Sequence, residues 1–171
     1  MIQTIEMRPQ DLVVLLKILC YCGRSWYHKD LAADLFLSTA EVSNALQRCT
    51  FSGLLDEDKK KVRTQALLEF LIHGAPYVFP ERPNSISRGI PTAHSHPFMA
   101  AQFTSDQMYV WPDAASDSRG LSVAPLYAGA VNAVKKDDQL YLMLALVDVL
   151  RMGRVREKEI AIKKLKELLK Q

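Results

Sequence analysis

Apolar residues recur at helical spacing in several stretches of the chain, with polar breaks between them. Leu12, Leu15, Leu16 and Leu19, flanked by Val13 and Ile18, make a wide stripe that follows Pro9 and stops at Cys22-Gly23. Proline suits the first position of a helix and glycine its end, so the stripe predicts a first helix. Arg24 to Tyr27 is short and aromatic, which predicts one brief strand with Trp26 in the core. Tyr27 to Leu55 then reads as two short helices joined by a tight turn. Leu31, Ala32, Leu35 and Leu37 share one apolar side, and Val42, Ala45 and Leu46 continue it in the second helix. Ser38 opens that second helix, with Glu41 three residues on completing a capping box.

Beyond this pair, Phe51 to Leu55 followed by Asp56 to Thr64 reads as two short extended segments flanking a polar, highly charged tip, which suggests a β-hairpin without an Asn-Gly or Asp-Gly centre. Gln65 to His73 is apolar on most sides and closes at Gly74 and Pro76, which predicts a buried helix. From Pro76 to about Lys136 the periodicity fades, and seven of the eight prolines fall there. That span predicts extended pieces and turns, with strands at Tyr77-Val78-Phe79 and Met108 to Trp111 and a short helix from Pro125. Asp137-Asp138 caps a further helix through Leu140, Leu144, Val147 and Leu150, ending at Gly153. A last helix from about Arg154 carries Ile160, Ile162, Leu165, Leu168 and Leu169 on one side. The fold class that follows is mainly α, of the α+β type, in three parts: 1–75, a Pro-rich connector 76–136, and a helical pair 137–171.

Composition adds limits. With 171 residues, 49% of them hydrophobic and 24% charged, the chain is globular. No apolar run approaches the roughly 18 residues of a membrane helix, and the first residues lack the pattern of a signal peptide, so the reading is a soluble, cytoplasmic protein with no membrane contact. Three cysteines, Cys20, Cys22 and Cys49, show no CxxC spacing and read as buried thiols. Charge does not identify a partner: residues 1–75 hold nine basic and nine acidic side chains, while residues 151–171 carry eight against three, a net of +5.

The order helix, strand, helix-turn-helix, charged hairpin, with LAADLFLSTAEVSNALQRCTFSGLL at its centre, resembles the winged helix-turn-helix domains of bacterial transcriptional regulators of the MarR type, over about residues 8–75. The resemblance implies a recognition helix over about 38–50 in the major groove of double-stranded DNA and a wing over about 55–64 on the backbone. Thr39, Glu41, Ser43, Asn44, Gln47 and Arg48 would face DNA; Lys59, Lys60, Lys61 and Arg63 would contact phosphates. Ser38 would cap the helix and donate to a phosphate. Asn44 and Gln47 suit adenine edges, and Arg48 suits guanine. One departure is Phe36, which stands in the turn where a glycine is common. Either the turn differs in geometry or Phe36 takes a left-handed backbone that its packing offsets. By the same resemblance the C-terminal helices would make a homodimer; packing on the same chain is the alternative.

The segment from Ile86 to Pro97, through Arg88 and His94-Ser95-His96, reads as a loop. His94 and His96 lack a third metal ligand in pattern, and Ser87 and Ser95 lack the glycines of a nucleophile elbow. The expectation is therefore no enzyme, no catalytic residue, no metal and no cofactor. A contact loop with Arg88 pairing an anion is preferred, and Asp148 expects Arg151 or Arg156 as its partner. The function expected is a dimeric DNA-binding regulator, a repressor. The alternative is a protein-interaction module such as an antitoxin-like partner.

Overall fold

The computed structural model describes residues 5–170; the sequence before Pro9 suggests a short extended lead-in over residues 1–7, whose start lies outside the described residues. The architecture is mixed α/β: helices together with a small three-stranded sheet. Helix α1 is Pro9–Cys20, α2 is His28–Leu35, α3 is Thr39–Phe51, α4 is Thr64–His73 and α5 is Ala75–Val78. Strand β1 is Ile86–Pro91, helix α6 is Pro97–Ala100, β2 is Tyr109–Pro112 and β3 is Arg119–Ser122. Helices α7, Ala130–Val134, α8, Asp138–Met152, and α9, Val155–Leu169, complete the chain.

Helix α1 lies at the centre. Leu12, Val13, Val14, Leu15 and Leu16 are all fully buried, so α1 is covered on every side, and it packs on both α3 and α8. A stripe would need only one partner; a helix apolar all round needs two. Buried residues from all three segments of the sequence form one cluster, from Leu12 through Trp111 to Leu169.

Three buried charges tie this core together, each through partners far apart in sequence or element. Asp11 on α1 accepts two hydrogen bonds from Arg48 on α3, both at 2.8 Å. Lys17 on α1 donates to Asp137 at the head of α8, at 2.7 Å, and pairs with Asp34 on α2 at 3.5 Å. Asp148 on α8 accepts from Thr92 at 2.7 Å, from Trp111 Nε1 at 2.8 Å and from Arg151 at 2.9 Å. The expected Asp148–Arg151 pair is present, and Arg151 also donates to the Phe79 carbonyl. Charges taken from water need this degree of partnering.

Several expectations change. Arg24 to Tyr27 is not a strand; it runs as irregular backbone, and Trp26 tucks into the core beside Tyr21. Tyr77-Val78-Phe79 is not a strand either. Pro76 sits in the first turn of α5, where its missing N–H costs nothing, and the Val78 and Phe79 amides donate back to Gly74 and Ala75. The span 86–97 is not one loop: its first half is β1, its second a 3-10 turn over Ala93–Ser95 and the start of α6. The short helix expected from Pro125 begins later, at Ala130.

The sheet closes on itself. β1 pairs antiparallel with β3 through Ile86–Arg88 and with β2 through Gly89–Pro91, while β2 and β3 meet in parallel at Tyr109–Val110 and Leu121–Ser122. Glycine makes the crossing possible: a Cβ on Gly89 would stand 2.0 Å from the Trp111 carbonyl oxygen, and one on Gly120 would stand 2.3 Å from that of Met108.

The C-terminal helices bury much of their apolar surface within the chain. In α8 Leu140 and every residue from Met143 to Leu150 are buried, and Ala161, Leu165 and Leu169 of α9 join the same core with Ile160, Ile162 and Leu168 packed against it. Of the apolar stripe on α9, Leu165 and Leu169 are buried within the chain, while Ile160, Ile162 and Leu168 are half-buried and Val155 is exposed. No helix among the described residues is long and apolar enough to cross a membrane.

Candidate functional site

The helix pair forms as its sequence dictates. Ser38 Oγ accepts from the Glu41 amide at 3.1 Å, and the Glu41 carboxylate accepts from the Ser38 amide at 2.9 Å. The backbone hydrogen bond from Ser38, followed by its side-chain bond, holds the Glu41 carboxyl below its ordinary value. Ser38 and Glu41 are therefore committed to the start of α3. The turn before them resolves the question of Phe36: it takes a left-handed backbone, φ 56° and ψ 41°. Such a backbone costs a non-glycine residue about 1–2 kcal/mol, and surrounding contacts must offset it. Tyr127 donates to the Leu35 carbonyl that the helix end frees, Gly129 packs close to Leu35 and Phe36, and Lys136 Nζ lies 5.1 Å from the Phe36 ring centre.

On α3, Val42, Ala45, Leu46 and Cys49 face the core, and burial raises the Cys49 thiol well above its usual range. Thr39, Ala40, Ser43, Asn44, Gln47 and Phe51 are exposed. Positions 40, 43, 44, 47 and 51 fall on one face of a helix, so this is a continuous open stripe. Arg48 is not part of it. Its guanidinium forks onto the fully buried Asp11, and the side chain is only 13% exposed. The hydrogen bond to Asp11, opposed by burial, raises the Arg48 pKa further. A planar fork on a carboxylate is a geometric match, and breaking it would leave Asp11 buried without a counter-charge, held only by the Arg8 amide. Arg48 sits at the border between the polar and apolar faces, and its partner lies thirty-seven residues away, so helical spacing alone gives no sign of the pairing.

The hairpin is smaller than expected. A single antiparallel bridge, Leu55 with Val62, is framed by bonds from Asp56 N to Lys61 O and from Arg63 N to Leu54 O, and α4 starts directly after it. Asp56 organises the tip: its carboxylate accepts from the Lys60 amide at 2.8 Å and the Lys61 amide at 3.0 Å. These amide bonds hold the Asp56 carboxyl below its ordinary value. Of the four predicted cations, Lys59 holds a left-handed backbone at the tip, with φ 58°. Lys60 is occupied: its Nζ lies 4.6 Å from the Trp26 ring centre and donates to the Trp26 carbonyl. Lys61 and Arg63 are exposed.

Sequence reasoning missed two cations near this face. Arg8, at the head of α1, is exposed and close enough to Glu41 to lower its carboxyl further. Lys136, from far along the chain, stands at the Phe36 turn. A count of charges by segment could not find either, because both reach the helix pair through the fold.

The residues of the 86–97 segment are placed for structure. His94 Nε2 meets the Gln107 carbonyl at 2.6 Å, and its ring packs edge-on against Tyr109. His96 is buried, and its Nδ1 accepts from the Phe98 amide at 3.0 Å, capping α6. Burial pushes the His96 pKa down to about 4, with the Asp138 charge opposing it, which keeps that nitrogen free to accept. Among the described residues no three His, Cys, Asp or Glu side chains converge as a metal site. Ser95 Oγ accepts from the Tyr109 amide, and the Ser87 hydroxyl donates to the Arg88 carbonyl.

No family model, no curated protein and no solved structure matches this chain.

Proposed function

We propose that the chain is a DNA-binding transcriptional regulator of winged helix-turn-helix type, with α3 as its reading helix in the major groove. The observation that carries the reading is the division of α3: its inner face and Arg48 are fixed in the core, while Ser43, Asn44 and Gln47 lie together on the exposed face. A rigid helix presenting amide side chains is what adenine edges require. Thr39 extends the face towards the helix start. Arg8, Lys61, Arg63 and Lys136 supply cations for phosphates, a role that the sequence resemblance gives to the hairpin alone. Arg48 acts as the anchor of the helix rather than a base contact. The regulator represses from a site upstream of its own gene. Binding of the protein to that DNA at several salt concentrations tests the reading. The prediction is a specific complex, lost in the Asn44→Ala/Gln47→Ala double variant, with affinity falling as salt rises. A double variant that binds as the parent does would refute the assignment.

A second reading, an interaction module of the antitoxin-like kind, draws on Phe51, which is 71% exposed at the end of the same stripe. Large exposed apolar side chains on an otherwise polar face favour protein contacts. Phe51→Ala separates the two: it leaves DNA binding within about threefold if bases are read, since a single apolar contact at the rim contributes little.

A further inference from the structure

A second surface feature lies on the far side of Trp26 from the core. The end of α1, the segment Cys22 to Tyr27 and the hairpin limb Lys60 to Thr64 enclose a groove of about 610 Å³. That volume lies within the range of small-molecule sites, roughly 300–1,000 Å³. Every charged side chain lining it is a cation: Arg24, Lys60 and Lys61. The neighbouring acids are turned to other tasks. Asp30 accepts from the Tyr27 amide, Asp34 from the Tyr21 hydroxyl, and Asp56 from the Lys60 and Lys61 amides. None of the three lines the groove, so its field is not cancelled from within.

The rest of the lining is apolar (Ile18, Leu19 and Val62), with a thiol, a glycine, two aromatic residues and two hydroxyls. Trp26 and Tyr27 line the groove with Ser25 and Thr64, and Tyr27 is 64% exposed. Lys60 spans the Trp26 ring, and Lys29 Nζ lies 5.6 Å from the centre of the Tyr27 ring, so a planar group has the opposite face of the exposed Tyr27 ring. Arg24 is held by its Nε on the Tyr21 carbonyl at 3.2 Å, so the two terminal nitrogens of its guanidinium are presented as a fork. A fork and an ammonium match a phosphate, and the one exposed aromatic ring, Tyr27, matches a base.

We propose that this groove binds a nucleotide unit, with Arg24 and Lys61 on its phosphate and Tyr27 stacked on its base. The site is separate from the open stripe of α3 and shares only Lys61 with the DNA reading; Arg24 and Tyr27 belong to the groove alone. A free nucleotide and a nucleotide within a single strand share this chemistry.

The test uses the full chain and the two indole N–H resonances, Trp26 at the groove and Trp111 in the core. Adenosine 5′-monophosphate should shift the Trp26 resonance saturably and leave that of Trp111 in place; adenosine alone should not shift it. Arg24→Glu/Lys61→Glu should weaken binding by roughly tenfold or more, since each lost charged hydrogen bond is a large fraction of such an affinity. The neutral pair Arg24→Gln/Lys61→Gln should weaken it in the same direction, with the unmoved Trp111 resonance reporting an intact fold. Asn44→Ala/Gln47→Ala should bind the mononucleotide as the parent does, so a failure of the α3 assignment is read separately. A short oligothymidylate that binds more than about tenfold tighter than the mononucleotide assigns the site to a strand; equal binding assigns it to the free nucleotide. The proposal is overturned if the mononucleotide leaves Trp26 unmoved, if adenosine moves it equally, or if both charge variants bind like the parent.

Discussion

Helices α3 and α8 are of similar length and each holds charge inside the fold, Arg48 in α3 and the Asp148–Arg151 pair in α8, yet they differ in what they leave exposed. α8 is sunk in the core along nearly its whole length, and Asp148 faces inward to Thr92, Trp111 and Arg151. α3 buries one face, and its charge, Arg48, reaches back to Asp11 and leaves the other face open. In α8 the charge joins the sheet to the helical core. In α3 it fixes the angle of a helix whose outer surface stays exposed. An exposed polar stripe on a rigidly held helix is the form a recognition element takes, and a buried one is not.

The largest effect that would sharpen the contrast belongs to α8. Asp148→Ala strands Arg151 and leaves the Trp111 N–H and Thr92 hydroxyl without their partner, and it should cost about 3–5 kcal/mol in denaturant unfolding. Burial pushes the Asp148 carboxyl up, against Arg151 and its two other donors, so Asp148→Asn, which keeps the shape, should cost less. Arg48→Ala leaves Asp11 buried and unpaired, and about 3 kcal/mol is expected. A near-neutral Arg48→Ala would return that arginine to the reading face.

The pH dependence comes next. The folded pKa of His96, about 4, lies below its ordinary 6.5, so between those values the unfolded chain binds the extra proton and stability rises with pH. Acidification from 6.5 to 4 should remove about 3 kcal/mol, and His96→Gln should flatten this part of the profile. The Lys17–Asp137 pair adds to the profile at both ends. Burial works to raise Asp137, but Lys17 and the Leu140 amide hold it below its ordinary value; burial works to lower Lys17, but Asp137 holds it above. Its contribution is present at neutral pH, lost as pH falls through the folded pKa of Asp137, and lost again as pH rises through that of Lys17.

A smaller effect is expected at the turn. Phe36→Gly relieves the left-handed backbone but removes the ring from Lys136 and adds freedom to the unfolded chain. Its unfolding free energy should stay within about 1 kcal/mol of the parent. A loss above about 2 kcal/mol would mean that the ring's packing dominates.

Helix ends are legible in the sequence because their signals are local. Pro9, the Ser38–Glu41 box and Asp137 each act within one turn, and all three stand where helices begin. Phe36 is readable as a choice between two geometries, and its positive φ decides it. What cannot be read depends on distant partners. β1 carries Gly89 and Pro91, which weaken any strand pattern, and it forms because two other strands cross it where only glycine fits. Arg48 resembles a base reader for want of any local hint of Asp11. α8 is legible as a helix, but its packing on α1, more than a hundred residues earlier, is not.

The smallest effect on stability is expected where the functional effect is greatest. Asn44→Ala/Gln47→Ala touches only the open face of α3 and should leave the unfolding free energy almost unchanged, within about 0.5 kcal/mol. The most direct test is the ratio of specific to non-specific DNA affinity, measured at one salt concentration for the parent and this double variant. Each bidentate amide contact is worth roughly 1–3 kcal/mol of discrimination, so the ratio should fall at least about tenfold while the fold stays intact. An unchanged ratio would contradict the account of α3 as a reader of bases.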